Sequence, residues 1–421
     1  MGASEVVLIE RSITSNDSRR VAWPRIDCTE TNMNGKNRIY LDHAATSWPK
    51  AESVLEAMSR FARECGAAAG RGGYHSAAAA DLVVSSLRRS IAQRIGASNS
   101  DCISFHPSGT AALNAAIHGL VRPGDHVVVS AADHNSVLRP LNHLAQTQGV
   151  RLTIVPTDGS GLVDFQSLIA SVAPDTRLVA LTHASNVTGA VQPIAELGEF
   201  LRSHPAWFLC DAAQTFGTLP ISVEDVGIDL LAAPGHKSSG GPLGTAFLYV
   251  ASQLHRSFVP WMQGGTGSQS ESLEMPTTMP LMLEAGNLNV PALAGWADSL
   301  QSWQSSEEVR RRMEHAARLS ERLHAGLGQI EHLRVHGRAG ILPIASVTLE
   351  DLAPSDAAAV LDAEFGIETR AGMHCAARIH AHLGTEQGGT LRISAGHTSA
   401  EFEIDAVIEA LATILSAMHS S

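Results

Sequence analysis

One feature narrows the choice of fold more than any other, the alternation of short apolar runs with amphipathic stretches. The runs are Val127–Ser130, Leu152–Pro156, Leu178–Thr182 and Phe208–Cys210; the stretches lie near Ser136–Gln148, Phe165–Ala173 and Ile194–Ser203. Strand, helix, strand in steady succession predicts an α/β fold, a mostly parallel sheet with helices on both faces. Such sheets bind ligands beyond the carboxyl ends of their strands. The residues just past each strand are therefore the first candidates for a site: Asp133-His134-Asn135-Ser136, His183-Ala184-Ser185-Asn186 and Asp211-Ala212-Ala213-Gln214.

A chain of 421 residues exceeds one small core, so two domains are expected. Residues 1–36 are polar and aperiodic and read as an irregular extension, with Met33 as a candidate alternative start. Residues 37–295 form the larger predicted domain. It opens with a strand at Arg38–Leu41, helices near Ser53–Arg63 and Ala80–Ile95, and a strand at Asp101–Phe105. Residues 296–421 form a smaller α+β domain. It has a helix near Glu307–Gly326, strands at Ile344–Thr348 and Thr390–Ser394, and a final helix from Ala400, with Thr398 and Glu401 as its capping box.

The net charge of −12, with no Lys/Arg block, argues against nucleic acid and anionic membrane as partners. No apolar run nears the ~18 residues of a membrane span, and Val6–Ile9 is too short a core for a signal peptide. Five cysteines, odd in number and widely spaced, do not form a disulfide framework, and a reducing cytoplasm fits them.

The chemistry centres on Lys237. It lies between two apolar runs, Leu230–Ala233 and Thr245–Val250, in a turn holding Gly235, Gly240, Gly241, Pro242 and Gly244. Such a turn lets backbone approach something bulky. A desolvated lysine has a lowered pKa and becomes an amine nucleophile able to form a Schiff base; the alternative is a surface lysine in a hairpin. Asp211 ends the strand run Trp207–Cys210, where an Asp can also serve as a helix N-cap. Together, a Schiff-base lysine and an acid placed to hold a ring nitrogen protonated indicate pyridoxal phosphate.

Two further stretches fit. Asp101–Phe105, His106-Pro107-Ser108-Gly109-Thr110 and a helix from Ala111 to Val121 read as strand, small-residue turn and helix, a phosphate cradle or an ordinary N-cap. Between the last strands, Arg370-Ala371-Gly372-Met373-His374-Cys375-Ala376 leads into a polar loop up to Gly389. Cys375 reads as an accessible thiol on a movable loop. The nearby His374, His380 and His382 match no usual zinc spacing, and no metal is expected.

With these residues assembled, the chain from about Ile39 onward resembles the cysteine desulfurase and selenocysteine lyase family of the class V aminotransferases. The landmarks stand in family order: Tyr40–Thr46, Ser108-Gly109-Thr110, Asp133–Ser136, Ser185–Gly189, Asp211–Gln214, Gly235-His236-Lys237, Gly264–Gly267 and Arg370–Ala376. The sequence departs from the family pattern at Ala111, Pro234, Asn135 and the proline-free segment after Cys375. The resemblance implies the fold type I architecture of pyridoxal phosphate transferases, with a seven-stranded type of sheet, and a homodimer. Lys237 would carry the cofactor, Asp211 would pair with its ring nitrogen, and His134 would stack on the ring. Ser108, Gly109, Thr110 and His236 would hold the phosphate, with Thr266 reaching in from a second subunit. Asn186 and Gln214 would flank the ring hydroxyl and substrate, with His43 also on the substrate side. Arg370 would bind the substrate carboxylate, and Cys375 would take its sulfur as a persulfide, converting L-cysteine to L-alanine for a sulfur-acceptor protein. A different carbon–sulfur or carbon–selenium lyase, a class V aminotransferase of a biosynthetic pathway, and a non-catalytic binding subunit are the alternatives.

Overall fold

In a computed structural model, residues 38–420 are described, apart from Arg71, Ser270 and Gln304. The extension at 1–36 and Met33 lie outside the described residues. The chain enters on β1 (Ile39–Tyr40). Seven strands then build the main sheet: β2 (Ile103–His106), β3 (His126–Ser130), β4 (Arg151–Val155), β5 (Thr176–Thr182), β6 (Trp207–Asp211), β7 (Leu230–Pro234) and β8 (Ala246–Val250). Their order is β2-β8-β7-β6-β5-β3-β4, and only β8 runs against the rest. The sheet is buried on both faces, which is why its strands read as unbroken apolar runs rather than alternating ones. In β3, Val128 packs into one core while Val127 and Val129 pack into the other.

Strand order reverses at β3: its neighbours are β4 on one side and β5 on the other, both parallel to it. The crevice at such a switch point is where an open sheet binds its ligand. Asp133 and His134 follow β3, and Asn186 lies just past β5, so the sequence clusters converge there.

The turn after β7 is held from behind by Trp296, on the helix Val290–Gln301. Its indole Nε1 donates to Ser239 Oγ (3.0 Å). A Cβ on Gly235 would lie 2.7 Å from the indole, and one on Gly241 would lie 2.5 Å from it. The bulky neighbour that calls for glycine here is therefore a tryptophan, packed against the side of the turn.

A second sheet, ordered β12-β13-β10-β9, comprises β9 (Leu333–His336), β10 (Ile344–Leu349), β12 (Arg370–Gly372) and β13 (Thr390–Ser394). Helices Ser306–Leu327 and Glu401–His419 supply Leu319, Leu323, Val407 and Leu411 to its core. The start of the described chain joins this unit: β1 pairs in parallel with β11 (Ile367–Glu368), and Leu41 is buried in the same core.

Two expectations need correction. The last helix is not capped by Thr398 and Glu401. Gly396 N donates to Ser399 Oγ (3.0 Å), closing a turn that delays the helix start, and Glu403 then accepts the Ala400 N–H (2.7 Å). The segment after Cys375 is not a plain polar loop. It holds a short helix, Ile379–Leu383, because Ala376, Ile379 and Leu383 pack against Ala132 and Val187. Among the described residues, no helix is long and apolar enough to cross a membrane.

Candidate active site

A cavity of about 220 Å³ opens over the carboxyl ends of the central strands, lined among others by Lys237, Asp211, His134, Asn186, Gln214, His236, Arg370 and Cys375. Both units contribute walls, because Arg370, Cys375 and Arg392 come from the second sheet and the segment after it.

Lys237 extends from the glycine turn behind β7. The side chain keeps some contact with solvent, yet its amine is surrounded by protein, and desolvation pulls its pKa down to about 8, with Asp211 opposing the shift. Asp211 ends β6 and is buried; burial pushes its carboxyl up, while the Ala213 N–H to Oδ1 (2.9 Å) and Lys237 pull it down. Desolvation thus disfavours both charges, and their mutual attraction restores part of the loss. Asp133, just past β3, is fully buried and receives hydrogen bonds from Ser130 N, Ser130 Oγ and Thr182 N (each 2.7 Å).

His134 caps the helix Asn135–Gln148: its Nδ1 accepts the Ser136 N–H (3.0 Å), which leaves the proton on Nε2. Burial, with Lys237 and Arg370 nearby, lowers its pKa to about 4, so the ring is a neutral plate against the cavity. Asn186 Nδ2 donates to His374 O (2.5 Å), and Gln214 Nε2 donates to Ala44 O (3.1 Å). Both amides therefore tie the main sheet to neighbouring segments as well as lining the site.

Ser108 is the N-cap of the helix Gly109–Leu120, its Oγ accepting Ala111 N (3.1 Å). The first N–H groups of that helix have no intrahelical acceptor. Thr110 Oγ1 meets Ser136 Oγ at 2.8 Å. Beside them His236 is held neutral, with its pKa lowered to about 4 by burial and by Lys237 and Lys50; its Nδ1 is buried without a partner among the described residues. Helix N–H groups, hydroxyls and an unsatisfied imidazole nitrogen form a cradle for a phosphate. Pro234 supplies no hydroxyl; it packs under Gly109, 3.4 Å from where a Cβ would sit. A nucleophilic amine, a buried acid and this anion cradle in one cavity fit pyridoxal phosphate.

Cys375 is exposed at the cavity mouth. Arg370 Nη2 lies 3.7 Å from its Sγ. His374 and Cys375 both have left-handed backbone, φ 47° and 59°, which costs energy for residues with a Cβ. The conformation is fastened by Asn135 N to Cys375 O (2.8 Å), by the Asn186 bond to His374 O, and by His374 Nε2 to Thr390 O (3.0 Å).

The family model for class V aminotransferases matches residues 39–407. This chain belongs to the class V aminotransferase family. A probable cysteine desulfurase of Methanothermobacter thermautotrophicus is 35% identical over 384 residues, covering 90% of this chain and 95% of that protein. Cysteine desulfurase CsdA of Escherichia coli is 30% identical over 379 residues, covering 89% and 93%. Among solved structures, the apo cysteine desulfurase of Thermococcus onnurineus superposes with a TM-score of 0.82 at 28% identity, over 90% of this chain and 95% of the other. The chain thus falls with the cysteine desulfurases of its family.

Two of the expected residues are not among those lining this chain's cavity, His43 and Thr266, the latter expected to serve a second subunit's site. His43 borders a neighbouring cleft, with its Nε2 3.3 Å from Ser399 Oγ. Thr266 does not line this chain's cavity; its Oγ1 lies 3.3 Å from Ser268 O. Arg392 went without a role in the sequence, yet it is 1% exposed and forms the cavity wall. Its signal is a lone arginine in the strand run Thr390–Ser394, whose other residues carry no charge.

Proposed function

We infer that the protein is a pyridoxal-phosphate-dependent cysteine desulfurase that converts L-cysteine to L-alanine and keeps the sulfur on Cys375. The observation that carries this reading is the thiol of Cys375 at the mouth of the cavity that holds Lys237 and Asp211. The relatives named cysteine desulfurase support it.

Lys237 would hold the cofactor, Asp211 its ring nitrogen, and the Ser108–Thr110 turn with His236 its phosphate. Bound pyridoxal phosphate supplies an electron sink for the substrate's α-carbon. His134 presents a flat neutral ring, suited to stacking. Once released, the Lys237 amine has a pKa suited to carrying a proton near neutral pH. Arg370 offers a guanidinium to the substrate carboxylate. The Cys375 thiolate attacks the substrate sulfur. A sulfur–sulfur bond forms as the carbon–sulfur bond breaks, and the electron pair stays with the three-carbon fragment. That fragment takes a proton and leaves as alanine, and the persulfide remains on Cys375.

A homodimer is part of this proposal. The Gly264–Gly267 loop that carries Thr266 lies among exposed Trp261, Met262 and Leu273, an apolar surface suited to a second copy. A sulfur-acceptor protein would then collect the persulfide from the exposed Cys375, in a cytoplasmic setting. The test is product identity. Purified protein given L-cysteine should release alanine; pyruvate and ammonia would contradict the reading.

A further inference from the structure

A second, smaller cavity of about 30 Å³ lies between the two units and shares Ala44 and Gln214 with the catalytic one. At roughly 10–15 Å³ per water-sized particle it holds two or three. That space suits a monatomic ion and is small for a tetrahedral phosphate or sulfate.

Its walls carry one arginine and two neutral histidines. Arg312 lines it with a side chain only 10% exposed, and Nη1 is buried without an acceptor among the described residues. Arg312 Nη2 donates to Ser302 Oγ (3.2 Å). Its Nε is 3.9 Å from Glu308 Oε1, a carboxylate that Arg311 also engages, so the charge is only partly met. His43 is 8% exposed, and its Nδ1 is also buried and unpartnered. In the tautomer with its proton on Nδ1, His43 Nε2 accepts from the Ser399 hydroxyl while Ser399 Oγ accepts the Gly396 N–H. His397, on the same wall, is kept neutral by burial and by Arg312, His43, Lys50 and His315, all cations or potential cations. No Asp or Glu is among the described residues lining the cavity.

We propose that this cavity is a halide site, in which one chloride ion is held by Arg312 Nη1 and His43 Nδ1–H at the seam between the two units. An ion bound there stabilises the folded arrangement by mass action, since the unfolded chain has no such site.

The test uses the holoenzyme dialysed into chloride-free sodium gluconate at constant ionic strength. Replacing gluconate with chloride should raise Tm along a saturating curve, by on the order of 1 °C or more at tenfold excess over half-saturation. Arg312→Met should lose that rise. Crystals of wild type soaked in bromide should show an anomalous peak beside Arg312 Nη1, a readout that does not depend on the variant folding. An identical rise in Arg312→Met, no saturating rise in wild type, or a bromide-soaked cavity that contains water only would overturn the proposal.

Discussion

Arg370 and Arg392 face each other directly across the antiparallel pair β12 and β13. They are engaged differently. Arg392 is buried, with Nη2 on Asp42 Oδ1 (2.5 Å) and Nη1 on Asn186 O (3.0 Å). Arg370 is partly open to solvent, beside Cys375 Sγ. One cation fastens the cavity wall while the other stays available to a substrate.

The two arginines should therefore separate in stability measurements. Arg392→Met leaves the Asp42 carboxylate without its partner and should destabilise the fold by about 3 kcal/mol. Arg370→Met should change stability by less than about 0.5 kcal/mol while raising KM for L-cysteine by at least about tenfold. Denaturant unfolding and steady-state kinetics on both variants check this; equal stability losses would refute it.

Cofactor capture should depend on pH through Lys237. An amine must be uncharged to add to an aldehyde, and the pKa of this one is lowered to about 8. The rate at which apoprotein regains its yellow colour should rise through pH 8 and then level off, with Lys237→Ala showing no borohydride-reducible adduct. For the apoprotein's stability the sign follows from the lowered pKa. Above about pH 8 the folded lysine is neutral while the unfolded one still binds a proton, so the cost of burying this charge is relieved as pH rises and is gone above the unfolded value near 10.4. A capture rate that keeps climbing past pH 10 would rule out a desolvated Lys237.

Asp211→Asn should still take up pyridoxal phosphate on Lys237 but lose turnover by at least about 10²-fold, because the amide cannot keep the ring nitrogen protonated. Absorbance spectra and turnover, measured on the same preparation, distinguish this from simple loss of cofactor.

Much of this arrangement was legible in the sequence because it is local. The βαβ succession shows in strands whose two faces are both buried. Lys237, Asp211 and His134 each follow a strand run, and Cys375 sits in a compact motif. What stayed hidden depends on distant contacts. Trp296 explains Gly235 and Gly241 from more than fifty residues away. The helix Ile379–Leu383 forms because Ala132 and Val187 offer it an apolar surface. Arg392 reaches the site only because β13 lies beside β12, and β1 joins the second unit by pairing with β11. His43 belongs to a landmark motif, yet the close approach of Gly396, where a Cβ would lie 2.2 Å from His43 Nδ1, places it in the neighbouring cleft.

The glycine turn gives a further expectation. Gly235→Ala would place a methyl 2.3 Å from Thr245 Oγ1 and 2.7 Å from the Trp296 indole. It should cost about 1–3 kcal/mol through overpacking and lower the bound cofactor content, as Lys237 lies two residues on. Thermal unfolding together with the protein's visible absorbance measures both effects.

The most direct measurement concerns where the sulfur goes. Wild-type holoenzyme is mixed with one equivalent of L-cysteine, alkylated and digested, and the peptide containing Cys375 is weighed by mass spectrometry. That peptide should carry one additional sulfur atom, with alanine formed in equal amount, and Cys375→Ser should form neither while keeping its cofactor spectrum. If the added sulfur appears on another cysteine, or if Cys375→Ser still makes alanine at the wild-type rate, Cys375 is not the residue that carries it.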